Sequence, residues 1–181
     1  MKTHSKLSRL SKLSWIAGVM GLLGAANGAA RAQLNSHAPT EATNRSGPRF
    51  GALWVSQGIV DEALKKKVVI KPVLSLFGWQ AEVPLGNNPG GPQPVSDIVI
   101  LGAGLDQGTF IPSASWIVGV RTQDDLEIGV GPNATPTGLA FVITAGISKK
   151  FGTLNVPLNV AFVPSKAGSR FSITTGFNTN K

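Results

Sequence analysis

Along most of the chain after residue 48, large apolar side chains alternate with small or polar ones at a period of two, the pattern of strands whose two faces meet different media. The C-terminal third is the most regular. In 138–148, Leu139, Phe141, Ile143, Ala145 and Ile147 point one way, and Ala140, Val142, Thr144, Gly146 and Ser148 the other. In 154–163, Leu154, Val156, Leu158, Val160 and Phe162 oppose Asn155, Pro157, Asn159, Ala161 and Val163. In 170–177, Phe171, Ile173, Thr175 and Phe177 oppose Arg170, Ser172, Thr174 and Gly176. Turn-forming stretches at 149–153 and 165–169 separate them, so these strands are antiparallel neighbours. Five earlier strands are expected at 49–56, 73–84, 97–105, 110–121 and 125–131. Gly58 to Lys67 has room for one or two helical turns, and the Gly/Pro/Asn-rich segments 85–95 and 131–137 read as loops. The expected fold is all-β, an antiparallel up-and-down barrel of eight strands with a short helical turn in its first loop. No stretch recurs at a fixed period, which sets aside propellers and solenoids.

The two faces differ in kind. One carries Leu, Ile, Val, Phe and Trp. The other mixes Gly, Ala, Ser and Thr with Gln80, Glu82, Arg121, Glu127, Asn159 and Arg170. A water-exposed barrel would carry many charges on its outer face, whereas here the few strand charges share the face of small residues. That arrangement suits a narrow lumen filled by side chains, with the bulky face toward lipid and the sheet closed so that no backbone group is unpaired. Glu82, Arg121, Glu127 and Arg170 are expected to form a lumen charge network, the arginines neutralising the glutamates. Read by themselves, the two glutamates would also suit a carboxylate pair for acid–base work. Trp54, Trp79 and Trp116 are expected as interface aromatics at the headgroup level.

Before residue 48 the pattern changes. Residues 1–13 are basic and free of acid, an apolar run follows from Trp15 to Ala26, and Ala30-Arg31-Ala32 supplies a small-x-small cleavage site. The run is far shorter than the ~20 residues a spanning helix needs. Residues 1–32 therefore read as a secretory signal peptide cut between Ala32 and Gln33, and 33–47 as a polar, disordered tail. The barrel domain is expected over 48–181.

Composition sharpens this picture. Charged residues are only 14% of 181, against a usual share of about 25%. The formal charge of +8 suggests nucleic acid, but five of the bases lie in the leader. Without them 12 basic residues face 9 acidic ones, a net of +3. The remaining cluster, Lys65, Lys66, Lys67 and Lys71, reads as a solvated loop or helix end, with lipopolysaccharide phosphates as the sharper alternative; no nucleic-acid partner is expected. There is no Cys, and His37 in the tail is the one histidine of the mature chain. A Ser-His-Asp set or a histidine or thiolate metal site is thereby excluded. Asp61-Glu62 and Asp124-Asp125 read as turn and solvated residues. Gly102-Ala103-Gly104 lacks the third glycine of a dinucleotide loop, since position 107 is Gln107. No enzyme activity, cofactor or metal is expected.

With its alternation, strand number, leader and a final strand near the C-terminus, the chain resembles the small eight-stranded outer-membrane barrels of Gram-negative-type bacteria, the class of OmpX and the membrane domain of OmpA. Thr174-Thr175-Gly176-Phe177-Asn178-Thr179 is similar to the terminal assembly signal of that class. The chain departs from it in ending Asn-Thr-Asn-Lys181 rather than on an aromatic residue, in having no Tyr, and in placing Pro157 inside a strand that a closed barrel cannot treat as an edge. The resemblance implies outer-membrane lipid and the barrel assembly machinery as partners, and a structural, adhesive or envelope-stabilising role. The alternative from the residues themselves is a soluble exported barrel or sandwich, periplasmic or secreted, that binds a small apolar ligand or a partner protein.

Overall fold

A computed structural model gives the fold and describes residues 45–86, 88 and 91–179. The expected leader, its cleavage site, His37 and the tail up to residue 44 lie outside the described residues. The last three residues assigned to the tail are placed. Arg45 pairs with Asp125, Ser46 accepts the Glu82 amide, and Gly47 opens the first strand.

Eight antiparallel strands run β1 Gly47–Val55, β2 Val73–Pro84, β3 Gln93–Ala103, β4 Ile111–Arg121, β5 Leu126–Thr135, β6 Gly138–Phe151, β7 Leu154–Ser165 and β8 Gly168–Gly176. Each pairs with its sequence neighbour, and β1 pairs with β8, so the sheet closes on itself as an up-and-down barrel. A short β9, Asn178–Thr179, adds to β7. A single helix among the described residues, α1 Gln57–Lys65, follows β1. No helix among the described residues is long and apolar enough to cross a membrane.

Three strands run three or more residues further than the alternation suggested, each for a local reason. β3 begins at Gln93 because Gln93, Pro94 and Val95 pair with Arg121, Val120 and Gly119. β5 continues through Pro132 to Thr135, where a loop was expected, because the same register resumes at Asn133 and Ala134 on β4. Pro132 brings no N–H and interrupts the ladder without shifting it. β6 runs on to Phe151, so the turn to β7 shrinks to Gly152-Thr153. Pro157 acts similarly in β7. Pairing with β8 stops at Leu158, and β9 takes it up again in unchanged register at Asn155. Thus β9 continues β8 past a break that faces the proline.

Both termini of the barrel lie at one end. The opposite end carries α1, a 3₁₀ turn at Leu105–Gln107 and two tight hairpins, β5–β6 and β7–β8. Ile59, Val60 and Ala63 of α1 pack on Val55, Ile70, Leu74, Leu76 and Ala103, so the helix lays its apolar side over that mouth of the barrel. Gly168 makes the seat possible. Its φ of 138° serves the two-residue turn, and a Cβ there would lie 1.9 Å from Ser56 Oγ. Ser56 in turn binds Ser169 through both its amide and its hydroxyl. Lys65 to Lys67 sit at the helix C-terminus, where cations suit the dipole, and Lys66 meets Glu62 at 3.2 Å.

The loop after β3 clamps the start of β2. Asp106 accepts from the amide and hydroxyl of Ser75, and the Ser75 hydroxyl is the first cause of a carboxyl held below its usual range. A depressed carboxyl favours the clamped state above the ordinary carboxylate pKa, near 3.9, and loses that contribution as pH falls through its own lower value. Exchange of the Ser75 amide is expected to speed up on acidification below that ordinary value in the parent chain. In Asp106→Asn it is expected to be already fast at neutral pH and nearly pH-independent after correction for intrinsic exchange; protection equal to the parent's would contradict the clamp.

Candidate functional site: the lumen

Alternation decides which side chains enter the lumen, and closure decides which of them meet. At the terminus-bearing end, inward positions on five strands bring together Arg49, Gln80, Glu82, Asp97, Arg121 and Glu127. Arg121 is the hub. Its Nη1 donates to Glu82 Oε1 at 2.8 Å, and its Nη2 to Glu82 Oε2, a two-pronged pair across β3. Its Nε also donates to Glu127 Oε2 at 3.1 Å, directly opposite on β5. The Glu82 side chain is fully buried. A chain of bonds runs beside this hub. Arg49 Nε donates to Gln80 Oε1 at 2.9 Å, and Gln80 Nε2 to Asp97 Oδ1 at 2.8 Å. Arg49 also donates to Asn178 Oδ1 and to the carbonyl oxygens of Pro48 and Arg45, tying β9 and the entry to β1 into the network.

Of the four residues expected in the charge network, three converge. Arg170 does not join them. It stands nearer the helix-bearing end, opposite Val55 and Val163, and its Nη2 donates to Asn133 Oδ1 at 3.2 Å; Asn133 Nδ2 donates to Ser115 Oγ. Asp125 occupies the β4–β5 turn with a left-handed φ of 62°, but it is not simply solvated, since Arg45 reaches over the barrel end to pair with it. Arg49, Asp97 and Asn178 were not among the expected network. A lone ionisable residue at an inward position of an otherwise apolar strand, as Asp97 between Val95 and Val99, was the available sign.

Outside the charged layer the lumen holds two apolar clusters among hydroxyl side chains such as Ser113, Thr135 and Ser172. Ile117, Val142 and Val163 form one buried cluster and the residues beneath α1 the other. A cavity of about 190 Å³ runs through the lumen, lined from Gln80, Asp97 and Glu127 of the charged layer to Ile59 and Glu62 of α1. Among the described residues no three or more His, Asp or Glu side chains gather where they could hold a metal ion.

The outer face is the reverse of a water-soluble surface. Leu139 is 78% exposed, Phe141 63% and Ile128 60%, while Arg49 and Asp97 inside are 1% exposed. Trp54, Trp79 and Trp116 all point outward. Trp54 stands next to the end of β1 and packs on Phe171. Trp79 and Trp116 were expected at a rim, but they stand mid-strand in β2 and β4. The expected spans 73–84 and 110–121 already left at least five residues of strand on each side of both, so the headgroup placement followed residue type rather than position. Trp116 Nε1 donates to Ser96 Oγ on the neighbouring strand at 2.9 Å, so its one polar atom is satisfied without water. Compared with family models, curated proteins and solved structures, the chain matches none.

Proposed function

We propose that this chain is an exported, non-enzymatic β-barrel of the bacterial outer membrane with a structural, envelope-stabilising role. The observation that carries the reading is the inversion of the barrel: a continuous apolar exterior around a lumen crossed by charged and amide side chains. In water, an exterior of this kind would be one large exposed apolar patch of the sort soluble monomers avoid. In a bilayer it is the surface that lipid requires, and closure leaves no strand edge in hydrocarbon. The Arg121–Glu82–Glu127 hub and the Arg49 chain cross the terminus-bearing end, and α1 covers the other. Such a barrel suits mechanical stability rather than ion flow. Its partners on this reading are outer-membrane lipid and the barrel assembly machinery, with lysines 65–67 beside α1 available to lipid phosphates.

The test is fractionation of cells that express the full chain, with gel mobility compared before and after boiling. The protein is expected in the outer-membrane fraction, with an unboiled band that migrates differently from the boiled one. Recovery as a soluble monomer, without detergent, would overturn the reading and favour a soluble exported barrel.

A further inference from the structure

Arg170 is the lumen cation that the charge layer leaves out. Both its cross-strand neighbours, Val55 and Val163, are buried and apolar. Among the described residues its guanidinium meets no carboxylate, and its Nε, shielded from solvent, has no acceptor. Arg170 is half-buried, and a guanidinium presents five N–H donors and keeps its charge, so one amide oxygen leaves most of its donors without a protein partner. The group lines the 190 Å³ lumen cavity. On the helix-bearing side Leu53, Leu74 and Leu101 give the cavity an apolar wall beneath α1, and Ser113, Thr135 and Ser165 line it too. The wall also includes Glu62 and Lys66, whose side chains are exposed at the helix surface, so the cavity opens beside α1.

We infer that the lumen cavity is a binding site for a small carboxylate with a short apolar tail, held by Arg170. The carboxylate would take Nη1, the end of the guanidinium with no protein acceptor among the described residues, in a charge-assisted pair. The tail would lie against the apolar wall beneath α1. One uncompensated guanidinium calls for one negative charge, which favours a monocarboxylate over a phosphate dianion. Size points the same way: an apolar cavity of about 150 Å³ takes up benzene, so this one suits a tail of about six carbons rather than a lipid chain. Arg121 does not compete, because Glu82 and Glu127 already occupy its donors. The inference goes beyond the outer-membrane reading and does not rest on it, since the lumen and its arginine are the same whatever medium surrounds the barrel.

The experiment uses the mature chain folded in detergent, titrated calorimetrically with hexanoate and separately with 1-hexanol. Hexanoate is expected to bind saturably at one site, at least about tenfold more tightly than the alcohol, as fits a charged hydrogen-bonded pair. Arg170→Gln is expected to bring hexanoate down to the affinity of hexanol and leave hexanol unchanged. It is also expected to unfold no earlier than the parent in the absence of ligand, because a half-buried charge with no carboxylate partner has been removed; an arginine with a purely structural role would give the opposite. A second measurement uses the parent chain alone: hexanoate is expected to raise its unfolding temperature in a concentration-dependent way, and hexanol much less. Equal binding of acid and alcohol, undiminished hexanoate binding by Arg170→Gln, or no hexanoate-dependent shift in the parent would each overturn the inference. A barrel recovered from the soluble fraction that still binds hexanoate through Arg170 would overturn the outer-membrane reading alone.

Discussion

Alanine at position 121 is expected to destabilise the barrel by about 3–5 kcal/mol, the range for removing one partner from a buried ion pair. Arg121 holds two carboxylates at once, Glu82 with both oxygens and Glu127 with one. Without it, both acids remain in the lumen with their charge uncompensated or must take up protons. Glu127→Ala is expected to do less harm than Arg121→Ala, because the two-pronged pair with Glu82 survives. It is also expected to differ less from Asp125→Ala than the sequence alone suggests, since Asp125 has its own partner in Arg45. Arg121→Lys keeps the charge but loses the planar fork and is expected to fall between the parent and the alanine variant. Urea titration of the folded chain, followed by tryptophan fluorescence and by unboiled gel mobility, measures all four. An Arg121→Ala variant within about 0.5 kcal/mol of the parent, the usual range of surface changes, would show that the hub contributes nothing to the fold.

Arginine at position 143 is expected to cost about 2–4 kcal/mol when the barrel is folded into lipid vesicles, the penalty for a cation near the midplane of a lipid-facing strand. Ile143 lies mid-way along β6, points outward at 52% exposure, and has Val130 and Phe162 as its cross-strand neighbours. The position therefore sits within the apolar band and away from both rims. In water the same substitution would replace an exposed apolar residue by a soluble one and change stability little. The comparison with Thr144→Arg adds a direction. Thr144 points inward and its hydroxyl donates to the Gly129 carbonyl, so an arginine there meets crowding in the lumen rather than lipid. Ile143→Arg is then expected to be sensitive to the vesicle's acyl-chain thickness, and Thr144→Arg insensitive to it. A negligible penalty at 143 in vesicles would place this face in water.

Much of this molecule is legible in the chain because a strand has only two faces. The period of two from Leu139 to Phe177 assigns each side chain to one face or the other, and the bulky positions of that stretch, Phe141, Ile143, Leu158, Phe162 and Phe171, all lie outward in the barrel. The number of strands and the helical segment after the first were likewise readable from turn residues and from the length of the gap between 56 and 73. Three decisions needed tertiary structure. The first was the extent of β3, β5 and β6, where cross-strand partners carried pairing through Pro94, Pro132 and Lys149-Lys150 against local turn chemistry. The second was the break opposite Pro157, which became a pause in the β8–β9 strand rather than an open edge. The third was the pairing of charges. Alternation places Glu82, Arg121, Glu127 and Arg170 inside but carries no information about height or azimuth in the lumen. Those depend on how the strands stagger when β1 meets β8. That stagger brought Glu82 to Arg121 across an intervening strand and left Arg170 beside Asn133, facing the cavity.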